Sequence, residues 1–288
     1  MNPIEKRSKR YALIAGLPMY LFALFFVLGP LIYMFVLSFM QREGAWGVSA
    51  DWTFSNYAKI FDPLYISIFW NSLKLALIST VLVVAIGYPF GYFMAKLNPK
   101  WKNLAMILLI IPFWTNALIR LYGWMIVFRA NGILDKILMK AGISDEPLKL
   151  LYSYPSVVVG MIYVLLPFMI YSVYASAEKL DWKLVEAARD LGASPLYAFR
   201  TITLPLTMPG IFSGVVLTFV PSMGLYFIAD ILGGSKIVLI GNLVQEELMR
   251  AHDWPFSAAL SVGLLALTSA FLFLYKRLTK SSSLEGLV

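Results

Sequence analysis

Six stretches of this chain are each long and apolar enough to cross a lipid bilayer. A membrane-spanning helix needs about 20 mostly apolar residues, and lipid offers its backbone no other hydrogen-bond partner than its own turns. The stretches are residues 11–39, 67–95, 103–128, 154–177, 209–231 and 257–275. With 60% hydrophobic and 14% charged residues, the sequence predicts an all-α, polytopic membrane protein with six transmembrane helices. The first apolar run is longer than the core of a secretion signal, so it is predicted to be a retained anchor.

The loop charges predict how the spans are oriented. If both termini are cytoplasmic, 14 of the 24 Lys and Arg residues lie in inside segments and 8 in outside loops, whereas the acidic residues divide 6 inside and 9 outside. Cytoplasmic loops carry the excess of basic residues. The sequence therefore predicts cytoplasmic termini and places residues 129–152 and 232–255 outside. Within the first of these loops, apolar residues at 133, 134, 137 and 138 predict a short amphipathic helix, either on the outer membrane surface or packed as an ordinary loop helix.

Composition also excludes several classes of protein. The chain has no cysteine and a single histidine, so it offers no disulfide frame and no expected metal site. The net charge of +8 is assigned to cytoplasmic loops rather than to nucleic-acid binding. The sequence has no phosphate-binding loop of the GxxxxGK[ST] type. We therefore expect a protein that is not an enzyme and needs no cofactor, and any ATP hydrolysis must belong to another chain.

A polar segment between the fourth and fifth spans, residues 178–208, predicts a helix-turn-helix on the cytoplasmic side. Asp181 can cap a helix from Trp182 to Leu191, and Gly192 stands where a left-handed residue ends it. Ser194 then caps a second helix that starts with a proline and is expected to end before span five, near Pro205. On a helical wheel, one half of the first helix is apolar. That half consists of Leu184, Val185, Ala187, Ala188 and Leu191.

This segment resembles the EAA loop of permease subunits from bacterial binding-protein-dependent ABC importers. The resemblance is carried by Glu186, Ala187, Ala188 and Gly192, followed by the run that ends in Leu204 and Pro205. It implies the type I importer permease fold, in which this loop docks on a separate cytoplasmic ATPase. It divides the chain into 1–66 (tail, first span and outer loop), 67–277 (the transmembrane core) and 278–288 (a cytoplasmic tail). It also implies a bacterial inner-membrane location, two ATPase copies, a second permease subunit, a binding protein outside and no nucleic acid.

Further stretches are similar to the permeases of spermidine/putrescine importers. They include "GYPFGYFMAKL" at 87–97, "IPFWTNALIRLYGW" at 111–124 and "SMGLYFIADILGG" at 222–234. The resemblance implies a polyamine cargo. Another small solute, such as iron, thiamine or an amino-acid-like ligand, stays open as an alternative, and so does a secondary transporter.

The candidate substrate-path residues are aromatic or acidic. Flexible polycations are suited to carboxylates and to the faces of aromatic rings. Trp114 and Trp124 lie on the third predicted span, Tyr226 and Asp230 lie on the fifth, and Tyr57 lies in the first outer loop. Arg120, also on the third span, is expected to need a carboxylate or carbonyl partner, with Asp230 as one possibility.

Overall fold

The computed structural model describes residues 16–234 and 236–279. The basic stretch before the first span and residues 280–288 of the predicted tail lie outside the described residues. The helices are α1 (Gly16–Leu37, with a π-helical segment Ala23–Leu28), α2 (Ser55–Ile60), α3 (Pro63–Lys96), α4 (Pro99–Ile110), α5 (Ala117–Phe128), α6 (Ile133–Lys140), α7 (Tyr154–Ala177), α8 (Trp182–Asp190), α9 (Pro195–Ala198), α10 (Leu204–Gly224), α11 (Tyr226–Gly233), α12 (Ile240–Met249) and α13 (Trp254–Thr279). Two short strands, β1 (Gln41–Glu43) and β2 (Gly47–Ser49), form an antiparallel hairpin.

Six helices among the described residues are long and apolar enough to span a membrane, which confirms the predicted number. Five of them overlap most of a predicted stretch. The third candidate, Ala117–Lys140, comprises two separate helices, α5 and α6, with the non-helical residues 129–132 between them, whereas the sequence predicted 103–128. Mean hydropathy of this third candidate span is 1.2, against 2.3 for the first, so it is the least apolar of the six.

The third predicted span is not one continuous helix. After α4 the chain forms a 3-10 turn, Ile111–Trp114, and then an extended residue, Thr115. Pro112 has no N–H to give to an α-helical ladder, and the Thr115 hydroxyl bonds back to its carbonyl at 2.9 Å. Asn116 then starts a new helix, because its side chain accepts the N–H of Leu118 at 2.8 Å. The chain therefore breaks beside Trp114.

The fifth predicted span also differs from the structure at both ends. Helix α9, the π-helical turn Phe199–Thr203 and α10 run on as one span, Pro195–Gly224. The expected stop near Pro205 is thus wrong, because a proline near the start of a helix removes no needed hydrogen bond, and Pro205 is at such a position of α10. At the other end Leu225 leaves the helical region, with φ −78° and ψ 58°, and α11 begins separately.

The described residues divide into two compact units. One comprises the described residues up to Tyr65 together with Val244–Ala266. Its first segment is closed by polar contacts: the buried Asn56 side chain donates to the carbonyls of Ser38 and Met40 at 3.0 and 2.8 Å. Phe39 lies against Trp52, Phe54 and Tyr57. These contacts fix the end of α1 to α2.

The other unit, Ile66–Leu243 with the described residues from Leu267 on, is built around α7. Helix α7 packs along α10, and small residues let the two backbones approach closely. A Cβ added to Gly210 would lie 2.6 Å from the Ser172 carbonyl oxygen and 2.5 Å from Ser176 Cβ. One added to Gly160 would meet Leu232 on α11 at 2.5 Å. Small residues at helix interfaces are the usual means of packing in lipid.

Helix α6 forms where the apolar periodicity predicted a loop helix, but Asp135 is not on a solvated face. Its carboxylate is 2% exposed and accepts the backbone N–H groups of Asn131 and Leu148 at 2.9 and 3.2 Å. Asn131 has a positive φ of 57°, a conformation that asparagine tolerates. Asp135 therefore holds the loop on both sides of α6, and Ile133 and Ile137 are among the exposed residues of that helix.

We expect Gly210→Ala to destabilise the α7–α10 packing by about 1–3 kcal/mol, the usual cost of overpacking a tight contact. Gly123→Ala is the matched control, since a Cβ at Gly123 in α5 meets nothing within 4 Å. Thermal unfolding of the detergent-solubilised chain would compare them. A Gly210→Ala variant with the melting temperature of Gly123→Ala would contradict the proposed close approach.

Candidate functional site

The polar segment after α7 forms the helix-turn-helix that its caps predict. Asp181 accepts the Lys183 N–H at 3.1 Å and Ser194 accepts the Tyr197 N–H at 3.2 Å. Gly192 has φ +89°, in the left-handed region. A residue with a Cβ would be strained there, so glycine permits the turn between α8 and α9.

One side of α8 is fastened to its own chain. Trp182, Val185 and Ala188, spaced three residues apart, are half-buried. The Trp182 ring lies 5.7 Å from that of Tyr92 near the end of α3, and Lys96 Nζ lies 4.9 and 4.3 Å from these two ring centroids. Phe199 of the π-helical turn meets Tyr92 edge-on at 6.0 Å. Thus α8 is attached to α3 and, through Tyr92, to the start of the fifth span.

The opposite side of α8 carries an exposed apolar stripe. Leu184 is 49% and Leu191 is 90% exposed, and Ala187 lies between them on the same face and is exposed. The apolar half inferred from the sequence is therefore divided in two: Val185 and Ala188 face the chain, and the stripe of Leu184, Ala187 and Leu191 does not. The helical wheel predicted Trp182 on the polar side of α8. Its ring instead contacts Tyr92 and attaches the helix to α3.

A shallow cavity of about 480 Å³ lies beside α8. Its lining combines two basic side chains and one acid with apolar groups. The lining residues are Ala95, Lys96, Trp182, Val185, Glu186 and Arg189. Glu186 is thus exposed at the rim of a recess between α8 and the end of α3.

The chain that enters this segment is held by an ion pair. Lys102 Nζ lies 3.0 Å from Glu178 Oε1 and links the start of α4 to the end of α7. Hydrogen bonds from Tyr174 and Lys102 hold the pKa of the Glu178 carboxyl below its usual value, against the opposing effect of burial. The pair is partly exposed, so its contribution to stability is small.

Asp230 and Tyr226 are brought together by a residue that sequence reasoning missed. Asn242, two residues into α12, donates to the Asp230 carboxylate at 2.5 Å and to the Tyr226 carbonyl at 3.3 Å. Its Oδ1 accepts the Leu239 N–H at 3.0 Å. Asp230 remains exposed, so α11 presents a carboxylate with a fixed orientation. Nothing in the sequence shows which acid the amide of Asn242 will reach.

The tryptophans of the third predicted span are in different surroundings. Trp114 ends the 3-10 turn and is 83% exposed. Trp124 packs against Phe128 and Tyr163 at ring distances of 5.0 and 5.6 Å. The helix break separates them, so they are not on one helix as predicted. Tyr57 is remote from both in sequence and shares a hydrogen bond of 2.7 Å with Ser38 in the first unit.

Arg120 lies between two aromatic rings. Its guanidinium carbon is 5.6 Å from the Phe113 centroid and 5.4 Å from that of Tyr163. Among the described residues it makes no ion pair, and its Nε is buried without a hydrogen-bond partner. The expected carboxylate partner is therefore not Asp230, which is bonded to Asn242; cation–π contacts occupy Arg120 instead.

The chain is similar in sequence to known proteins over most of its length. Two similar proteins are both spermidine/putrescine transport system permease proteins PotB. That of Haemophilus influenzae is 43% identical over 89% of this chain and 90% of its own length. That of Escherichia coli strain K12 is 43% identical over 88% of this chain and 93% of its own length.

Solved structures share the fold. A bacterial ABC transporter that imports the acidic polysaccharide alginate contains a chain that matches 98% of this one, with a TM-score of 0.77 at 16% identity. This likeness supports the type I permease fold for the six-helix protein. The family model described as the binding-protein-dependent transport system inner membrane component matches residues 87–283. This range includes α8 and the whole of the fifth span, Pro195–Gly224. The chain belongs to this family of inner-membrane transport permeases.

Proposed function

We propose that this chain is a permease subunit of an ATP-driven polyamine importer, which forms part of the path for spermidine or putrescine and takes its energy from a separate ATPase. The observation that carries the coupling role is the exposed stripe of Leu184, Ala187 and Leu191 on a helix whose other face is anchored. A small apolar stripe on a short helix fits a groove on a partner. Exposed leucines on a polar helix are otherwise costly to leave in water.

The partners follow from this assignment. Two copies of a cytoplasmic ABC ATPase would each receive one coupling helix, one from this chain and one from a second, paralogous permease. In this assignment Glu186, at the rim of the cavity, meets polar groups of the ATPase, Ala187 and Ala188 allow close approach, and Gly192 supplies the turn. An extracytoplasmic binding protein would deliver cargo to the opposite side. The positive charge of the predicted inside loops supports cytoplasmic termini.

The polyamine cargo is supported by the PotB relatives and by the chemistry of the predicted path. Their name refers to spermidine and putrescine, and 43% identity covers nearly the whole chain. Asp230 offers a carboxylate held by Asn242, and Trp114 offers an exposed ring at a helix break. Tyr226 shares the Asn242 contact. Trp124 and Tyr57 are assigned a packing role beside the path. Trp124 contacts the Tyr163 ring, and Tyr57 shares a hydrogen bond with Ser38.

The test is uptake by proteoliposomes that hold this chain with its copurifying subunits. Radiolabelled spermidine or putrescine should accumulate only when ATP is inside with the ATPase and the binding protein is outside. Accumulation driven by an ion gradient without ATP would identify a secondary transporter. ATPase stimulation by iron, thiamine or an amino acid, with none by polyamines, would assign a different cargo.

Leu191→Asp should uncouple the complex, because docking would bury an unpaired carboxylate where a leucine was accommodated. We expect copurification of the ATPase and ATP-driven uptake to fall about tenfold or more. Ile143→Asp is the control: it is 71% exposed in the loop after α6, far along the chain from α8. Equal uptake by the two variants would exclude the stripe as a docking surface.

Orientation can be tested with single cysteines, because the native chain has none. Lys183→Cys, on the exposed side of α8, should resist an impermeant maleimide on intact cells and react after permeabilisation. Asp145→Cys, in the loop after α6, should react on intact cells. The reverse pattern would overturn the proposed topology.

Asp230→Asn should lower uptake at subsaturating polyamine by about tenfold, since a hydrogen bond to a charged group contributes about 1.5–3 kcal/mol. The new amide oxygen can still accept from Asn242, so the fold is preserved and only the charge is lost. Asp230→Glu should be milder, and Trp114→Ala should also slow uptake. Asp145→Asn is a control for the loss of one exposed acid. Unchanged transport by Asp230→Asn would exclude the charge role.

A further inference from the structure

The ammonium group of Lys59 occupies an aromatic and acidic recess in the first unit. Its Nζ lies 3.7 Å from the centroid of the Phe256 ring and 5.9 Å from that of Tyr65. The same Nζ is 3.7 Å from Asp253 Oδ2. Two rings and a carboxylate thus surround one primary ammonium.

The recess is built by backbone contacts and not by Lys59. Asp253 Oδ1 accepts the Phe256 N–H at 3.0 Å and caps α13. The Asp253 N–H bonds to the Glu247 carbonyl at 2.9 Å, so the loop after α12 is closed. Asp253 is 9% exposed and Phe256 is fully buried. The second carboxylate oxygen and the ring therefore stay in place whatever occupies the recess.

Further negative charge surrounds this point. Burial raises the pKa of the Glu247 carboxyl, while the Lys59 charge counteracts that rise. Asp62 and Glu247 both act on Tyr65 electrostatically, so both carboxylates lie in its neighbourhood. Carboxylates other than Asp253 therefore add negative charge near the recess, which favours a cation there.

Lys59 is loosely held. The Nζ–Oδ2 separation of 3.7 Å exceeds the 2.7–3.2 Å of an N–H···O hydrogen bond. Its side chain is 43% exposed, so the recess opens to solvent.

We propose that this recess is a binding site for a primary alkylammonium group, with Lys59 as an internal occupant that the ligand displaces. Carboxylate and ring faces are the groups that recognise alkylammonium ions. None of its residues is among the proposed path residues, and Lys59, Tyr65, Asp253 and Phe256 all belong to the first unit. The expected ligand is inferred from the ammonium group of Lys59, so it does not depend on which cargo the protein transports. In the proposed orientation it lies outside, at the ends of the second and sixth spans.

The test is equilibrium binding of n-butylammonium to the full chain with its copurifying subunits in lipid nanodiscs, without ATP. Lys59→Gln should bind n-butylammonium about tenfold more tightly than the native chain, because the substitution removes the ammonium that competes for the site. That ammonium is held by a partly exposed ion pair and by ring contacts. Lys140→Gln, an exposed lysine of α6, should leave the affinity unchanged. n-Butanol, which has no charge, should show no gain.

Two further variants on the Lys59→Gln background locate the site. Asp253→Asn should abolish the gain, and asparagine caps a helix as well as aspartate does, so α13 stays capped. Phe256→Leu should weaken binding severalfold by removing the ring and keeping an apolar side chain. A Lys59→Gln chain that binds no better than the native one, or a gain that survives Asp253→Asn, would show that Lys59 and Asp253 are only a structural brace. Because no transport is measured, failure of polyamine uptake would not produce either result.

Discussion

The close contact between α7 and α10 is the constraint on which the larger unit depends. In lipid the helices gain nothing from being shielded from water, so association depends on close packing. Gly210 permits it by placing its backbone against the Ser172 carbonyl. Helix α8 and the turn at Gly192 connect these two helices, and α11, with Asp230, follows α10 directly. The candidate coupling segment and the candidate path therefore both continue from the α7–α10 contact.

Most of the architecture could be predicted from the sequence, because it depends on local properties. Long apolar runs specify spans in any lipid, and the caps Asp181 and Ser194 specify where α8 and α9 begin. The breaks could not be placed in the same way. Pro112 precedes a helix break, whereas Pro205 and Pro209 lie within a continuous span. The break coincides with a competing cap at Asn116. Hydropathy contains no such information.

The candidate site was predictable only in part. The candidate coupling residues were identified from a short motif. The contact between Trp182 and Tyr92, which lie far apart in the chain, determines which leucines of α8 remain exposed. Asp230 was identified from the sequence as a candidate path residue, whereas its orientation depends on Asn242. Asp135 had the spacing of a solvated residue and is buried, because two loop N–H groups needed an acceptor. The recess around Lys59 joins distant segments in the same way, and no sequence periodicity links them.

The aromatic attachment of α8 has a mechanical consequence. Trp182 and Phe199 each contact the Tyr92 ring, the first at a tilted angle and the second edge-on. Ring contacts keep much of their attraction over a range of tilts. The ring contacts therefore leave α8 some freedom to tilt while it stays attached. A displacement of α8 would reach α3 and the start of the fifth span together, because both are connected to it through Tyr92.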